Sequence, residues 1–291
     1  VTQSGNGADH LDVLLDRWRS ELAAWAIPEH ITATVGQSPW VLPRTVFARR
    51  ADRVAAAPSG PSFDRAWAAL DPPGSVMDVG AGAGAACLPL LPRCTALTAV
   101  DTEPDMLGLL AERAESYFRS HPEVAPVDVR LVPGGWPDVA AEAGTADVVT
   151  CHHVTYNVPG IEPFLTALTG AARRIVVLEM TVTHPLTSLN QLWLKFHGLV
   201  RPEGPTAGDL LAILAAMGIN AGSQRWQRPG ARDYANFAEL TDVTRRRLCL
   251  PPERADEVSE ALAEAGTDRD RPMDLGSAGR DVVTIWWDSR A

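Results

Sequence analysis

Apolar positions along this chain recur with two different periods, and the periods alternate in blocks. Leu11, Leu14, Leu15, Trp18, Leu22 and Trp25 fall three or four residues apart, which predicts an amphipathic helix that Pro28 interrupts. Beyond residue 72 the pattern changes to short apolar runs at 75–79, 96–100, 127–132, 146–151 and 174–180, each bounded by turn residues, and these read as strands. The run at 174–180 is apolar nearly throughout, as a parallel strand covered on both faces requires. Helical spacing returns between the runs. Residues 103–119 place Leu107, Leu110, Ala114, Tyr117 and Phe118 on one face after a start signal of Thr102, Glu103, Pro104 and Asp105. Leu189, Leu192, Trp193 and Phe196 form another stripe, and Thr206 caps a helix carrying Leu210, Ile213, Leu214 and Met217 before Gly218 closes it.

Two further strands are predicted at 223–227 and 281–287. About 50 residues separate them, far more than a hairpin loop holds, and that stretch carries helical patterns near 233–248 and 252–265. The alternation of strand and helix specifies an α/β fold: a doubly wound, seven-stranded, mostly parallel sheet. It divides into an N-terminal helical extension over 1–72 and a main domain over 73–291, with a helical insertion at about 230–280 before the last strand.

Candidate chemistry concentrates after the first predicted strand, where Asp78 precedes a turn containing Gly80, Gly82 and Gly84 and then a run of small residues that reads as a helix. Bare backbone amides at a helix N-terminus suit a nucleoside-bearing cofactor, and the glycines alone fit the permissive dinucleotide pattern. The acid changes the reading. A dinucleotide places a pyrophosphate here, which Asp78 would repel, whereas S-adenosylmethionine (SAM) has no phosphate and carries a sulfonium and an ammonium group. Asp78 followed by the three glycines resembles motif I of the class I SAM-dependent methyltransferases, and the fold this implies is the Rossmann-like methyltransferase fold, whose last two strands pair antiparallel beside the parallel core. The whole chain is also similar to actinobacterial methyltransferase-like proteins of undefined substrate.

The resemblance implies a site at the carboxyl ends of the strands. Asp78, Gly80, Ala81 and Gly82 would hold the amino-acid tail of SAM, Asp101 and Thr102 the ribose, and Met106 the adenine face. The loop at Gly135 and Trp136 stands where many members carry an adenine-binding Asp; here backbone amides and the indole would serve. His152, His153, Tyr156 and Asn157 follow the fourth strand, in a segment similar to that of quinone-biosynthesis C-methyltransferases. His153 is the first candidate base, His152 the second and a cofactor contact, and Tyr156 and Asn157 would orient the acceptor. Adjacent residues of an extended strand face opposite ways, so one histidine is expected to face the cleft. Trp40, Arg44 and Phe47 are lid candidates, with Trp40, Arg44, Asn157, Trp193 and His197 as substrate contacts.

The expected reaction is methyl transfer from SAM, with S-adenosylhomocysteine (SAH) as product, to a small, partly apolar acceptor. The alternatives are an RNA or protein methyltransferase, a nicotinamide oxidoreductase, or a SAM-binding module without turnover. A net charge of -10 over 291 residues without a basic run argues against nucleic acid. The clusters Arg49, Arg50, Arg53 and Arg245, Arg246, Arg247 read equally well as solvated helix faces. The four cysteines form no C-x-x-C pair and no histidines sit at metal-binding helical spacing, so no metal is expected and a reducing cytoplasm fits. No export signal and no apolar run of about 18 residues is found, so no membrane span is expected. A monomer or homodimer is expected.

Overall fold

The computed structural model describes residues 5–33, 38–40, 43–270, 272 and 279–289. In chain order these form helices α1 (Gly5–Ala23), α2 (Glu29–Thr32), α3 (Arg44–Ala56) and α4 (Pro61–Ala69), then strand β1 (Gly74–Val79) and strand β2 (Cys94–Asp101). There follow α5 (Pro104–Ser120), β3 (Asp128–Pro133), α6 (Ala140–Ala143), β4 (Ala146–His152), α7 (Ile161–Ala171) and β5 (Ala172–Thr181). The chain continues through α8 (Asn190–His197), α9 (Ala207–Ala216), β6 (Gly222–Gln227), α10 (Phe237–Arg247), α11 (Ala255–Glu264) and β7 (Asp281–Asp288).

The strands build one seven-stranded sheet in the order β3-β2-β1-β4-β5-β7-β6. Its first five strands are parallel, and β7 runs antiparallel to both neighbours, β5 and β6. Burial follows the two-residue period of a strand: Met77 and Val79 of β1 enter the core on one face, with Val149, Phe164, Leu168 and Trp287, while Val76 enters the other, with Leu88, Leu97, Leu107 and Leu110. Both faces are therefore covered, which is why the central strands read as continuous apolar runs.

The glycine turn departs from expectation. Residues 80–87 are turn, and Leu88–Arg93 is a 3-10 helix instead of an α-helix of small residues. Pro89 and Pro92 withhold two amide donors from any α-helix there, and Gly80, Gly82 and Gly84 all have positive φ, so the turn is anchored by its own amides. The backbone N–H groups of Gly80 and Ala81 donate to Val100 O at 2.8 and 3.0 Å.

The N-terminal extension packs in two places. Trp18 of α1 is fully buried in the core beside α7 and donates from Nε1 to Val158 O at 2.9 Å. Ile31 of α2 and Val46 of α3 join Trp193, Leu240, Val243 and Val258 in a separate apolar cluster, so extension, α8 and insertion helices share one small core. Parts of the extension (1–4, 34–37, 41–42) and of the insertion (271, 273–278) lie outside the described residues.

Candidate functional site

β1, β2, β4 and β5 end at the same sheet edge, and one cavity of about 1010 Å³ opens there. Its floor is the turn after β1. Asp78 is 1% exposed, accepts a hydrogen bond on Oδ1 from Thr150 Oγ1 at 2.8 Å, and has no partner for the buried Oδ2. Burial pushes this carboxyl up to about 6. Gly80 has φ +74, and a Cβ there would stand 2.2 Å from Val154 Cγ2, so only glycine lets the loop after β4 close on the turn. At the end of β2, Asp101 accepts from Gly82 N at 2.7 Å and from Glu103 N at 2.9 Å, which fixes its carboxylate at the start of α5.

All ten residues assigned to the cofactor by resemblance, from Asp78 through Met106 to His152, line this cavity. Trp136 donates from Nε1 to Phe164 O at 3.2 Å, which seats its indole at the cavity wall beside Gly135. Above the floor lies α3, whose Ala51 packs on Ala83 and Met106. Two ion pairs tie it to α5: Arg44 to Asp105, and Arg113 to Asp52 at 2.7 Å. Trp40, half exposed, Arg44 and Phe47 line the same cavity.

The family described as Methyltransferase domain matches residues 47–205, more than half of the chain. The chain belongs to this family. The protein is a SAM-dependent methyltransferase. No curated protein matches the sequence. Among solved structures it is similar to the YcgJ protein from Bacillus subtilis (15% identity, covering 78% of this chain and 97% of that chain, TM-score 0.48). It is also similar to a magnesium protoporphyrin IX methyltransferase from Synechocystis PCC 6803 with bound SAH (20% identity, 75% and 89% covered, TM-score 0.47). A third is a SAM-dependent methyltransferase from Thiobacillus denitrificans in complex with SAH (16% identity, 90% and 98% covered, TM-score 0.43).

The methyltransferase cavity suits its cofactor on its own chemistry. The orphaned Oδ2 of Asp78 is a buried anionic acceptor that an ammonium group would satisfy, and Gly82 leaves open space beside Met106, whose Cε is 3.7 Å from where a Cβ would stand.

Beyond the floor lies a polar network that sequence spacing only partly reveals. Glu179, at the end of β5 and 2% exposed, accepts from Ser62 Oγ at 2.6 Å and is ion-paired with Arg228, while His153 Nε2 lies 3.0 Å from its Oε1. Ser62 Oγ is also 2.6 Å from Thr284 Oγ1. His152 and His153 both line the cavity, contrary to strand alternation, because β4 ends at His152 and His153 takes a left-handed φ of 61°. Burial, helped by His153 and Arg228, holds His152 down at about 3, and its Nε2 is buried without a partner.

Three predicted contacts are not brought to the cavity. Tyr156 is buried behind His153, and its hydroxyl hydrogen-bonds to Thr181 Oγ1 at 2.8 Å and accepts from Thr181 N. Trp193 is buried in the small core shared with the insertion helices, where its stripe packs. His197 Nε2 is 2.6 Å from Leu248 O, across the same interface. Asn157 does line the cavity.

Ser62, Trp226 and Arg228 escaped the sequence reading. For Arg228 a signal existed: β6 runs parallel to β5, so the residue after its last one emerges at the ligand edge. No group of three or more His, Cys, Asp or Glu placed to hold a metal occurs among the described residues. No described helix is long and apolar enough to cross a membrane.

Proposed function

We propose that the enzyme transfers a methyl group to a small, partly apolar molecule that enters the same cavity as the cofactor. The observation that carries this reading is the continuity of one space of about 1010 Å³, lined both by the glycine turn and by Phe47, Phe63 and Trp226. When bound, SAM supplies an electrophilic methyl group together with its own leaving group. Asp78 meets the ammonium group, the turn at Gly80, Ala81 and Gly82 admits the tail, Asp101 and Thr102 hold the ribose, and Met106, Gly135 and Trp136 enclose the adenine. The enzyme's remaining task is to desolvate the acceptor and hold it in line.

His153, braced by the buried carboxylate of Glu179, accepts a proton where the acceptor arrives with one. His152 stays neutral at physiological pH and serves as a hydrogen-bonding wall. Asn157, Trp40 and Arg44 contact the acceptor or close over it. The extension over 1–72 and the insertion at about 230–280 act together as the acceptor side of a methyltransferase domain spanning 73–291. Four buried, unpaired cysteines suit a reducing compartment such as the cytoplasm.

The net charge of -10 favours a small acceptor over RNA. The test supplies methyl-labelled SAM with separate small-molecule, RNA and protein fractions of a cell extract. Label is expected in the small-molecule fraction; label confined to RNA or protein overturns the reading. Replacing His153 by Ala should lower turnover by about a hundredfold or more while SAH affinity stays unchanged.

A further inference from the structure

Arg50 and Arg53 on α3, together with Arg228 after β6, line the cavity. Arg50 and Arg53 both grip one carboxylate, the fully buried Asp233, at 2.8 and 2.5 Å. Arg228 shares its carboxylate, Glu179, with His153 and Ser62, and its Nε is buried without a hydrogen-bond partner. Arg53 also donates from Nη1 to Arg232 O at 3.1 Å. Burial, with the field of Arg50 next, pulls the Arg228 guanidinium down to about 10, which places the two side chains in each other's field.

The buried Nε of Arg228 is a donor that an added anion would satisfy, and a guanidinium fork matches a planar carboxylate in geometry as well as charge. The surfaces beside it are aromatic. Trp226 lies against Arg228, with the guanidinium carbon 5.7 Å from the ring centre, and donates from Nε1 to Thr284 Oγ1 at 3.0 Å, which fixes the indole plane. Phe63 of α4 lines the same recess.

We propose that the methyl acceptor is a small ring-bearing carboxylate, its carboxylate held by Arg53 and Arg228 and its ring laid against Trp226 and Phe63. This rests on the methyltransferase reading of the cavity and names the class of acceptor. The enzyme then selects acids over their amides, because an amide brings no charge to the arginines and presents them with N–H groups that they cannot accept.

Calorimetry on the SAH-loaded enzyme tests it, with benzoate, phenylacetate and indole-3-acetate as probes against their primary amides. At least one acid should bind about tenfold or more tightly than its amide. Arg228→Gln and Arg53→Gln should each weaken that acid by about tenfold and leave SAH affinity within about twofold. Arg53, with a third of its side chain exposed, offers a variant that folds even if Arg228→Gln does not. Equal binding of acids and amides, or binding of neither, overturns the proposal. So does a loss of SAH affinity as large as the loss of acid affinity, which would assign the arginines to the cofactor's own carboxylate. Failure of the unaltered enzyme to take up SAH would instead overturn the underlying reading, and this one with it.

Discussion

Asp78 is a carboxylate that the fold buries without full satisfaction, and its energetics follow. Burial raises its pKa from 3.8 to about 6, so the folded chain binds a proton that the unfolded chain has already released between those values. Stability from this group is therefore greatest below pH 4, falls as pH rises through the window from 4 to 6, and is lowest above it, by about 3 kcal/mol. An ammonium group beside Oδ2 offsets that cost. Asp78→Asn should flatten the pH dependence of the ligand-free protein and leave it at least as stable at pH 8, while SAH affinity falls about a hundredfold. Thermal unfolding from pH 4 to 8 and calorimetry with SAH check the two outcomes; a variant that binds SAH normally would remove Asp78 from the site. At this scale the lining around the glycine turn was legible, because Asp78, the glycines, Asp101 and Met106 depend on local spacing around two strand ends. Tyr156 was not, since whether its hydroxyl is free depends on Thr181, 25 residues away on the neighbouring strand.

The elements around the glycine turn show how backbone geometry sets the floor of the site. Gly80 and Gly82 both take positive φ, but a Cβ at Gly80 collides with Val154, whereas one at Gly82 meets only Met106 Cε at an ordinary distance. Gly82→Ala should cost about 1–2 kcal/mol for the left-handed backbone alone. Gly80→Ala should cost about 1–3 kcal/mol more through overpacking, and Val154→Ala in the same chain should return part of that. Denaturant unfolding of the three variants tests this; equal losses for both glycines would refute the role of Val154. The expected helix after the turn failed because composition favoured it while Pro89 and Pro92 forbade its hydrogen bonds. The expected opposition of His152 and His153 failed because the strand ends between them, a boundary that apolar alternation does not mark.

In the whole molecule, the N-terminal extension belongs to the core and to the site at once. Trp18 is fully buried and bonded to Val158, four residues beyond the loop position of Val154, while α3 covers the glycine turn. Trp18→Ala should cost about 3–5 kcal/mol, measured by denaturant unfolding, and should lower turnover through the loop after β4. A change near zero would mean that the extension is a detachable lid. The sequence by itself determined the strand and helix alternation, the mostly parallel sheet, the acid and glycine turn and the acid Asp101 at the end of β2, because each is written in residues close together along the chain. Only the tertiary structure decided that Trp193 and His197 pack core, that Arg50 and Arg53 line the cavity instead of facing solvent, and that Arg228, Glu179 and Ser62 meet. Those contacts join segments 49 to 183 residues apart, and the pairing of a charge with a distant partner follows from which strands become neighbours, which no local period records.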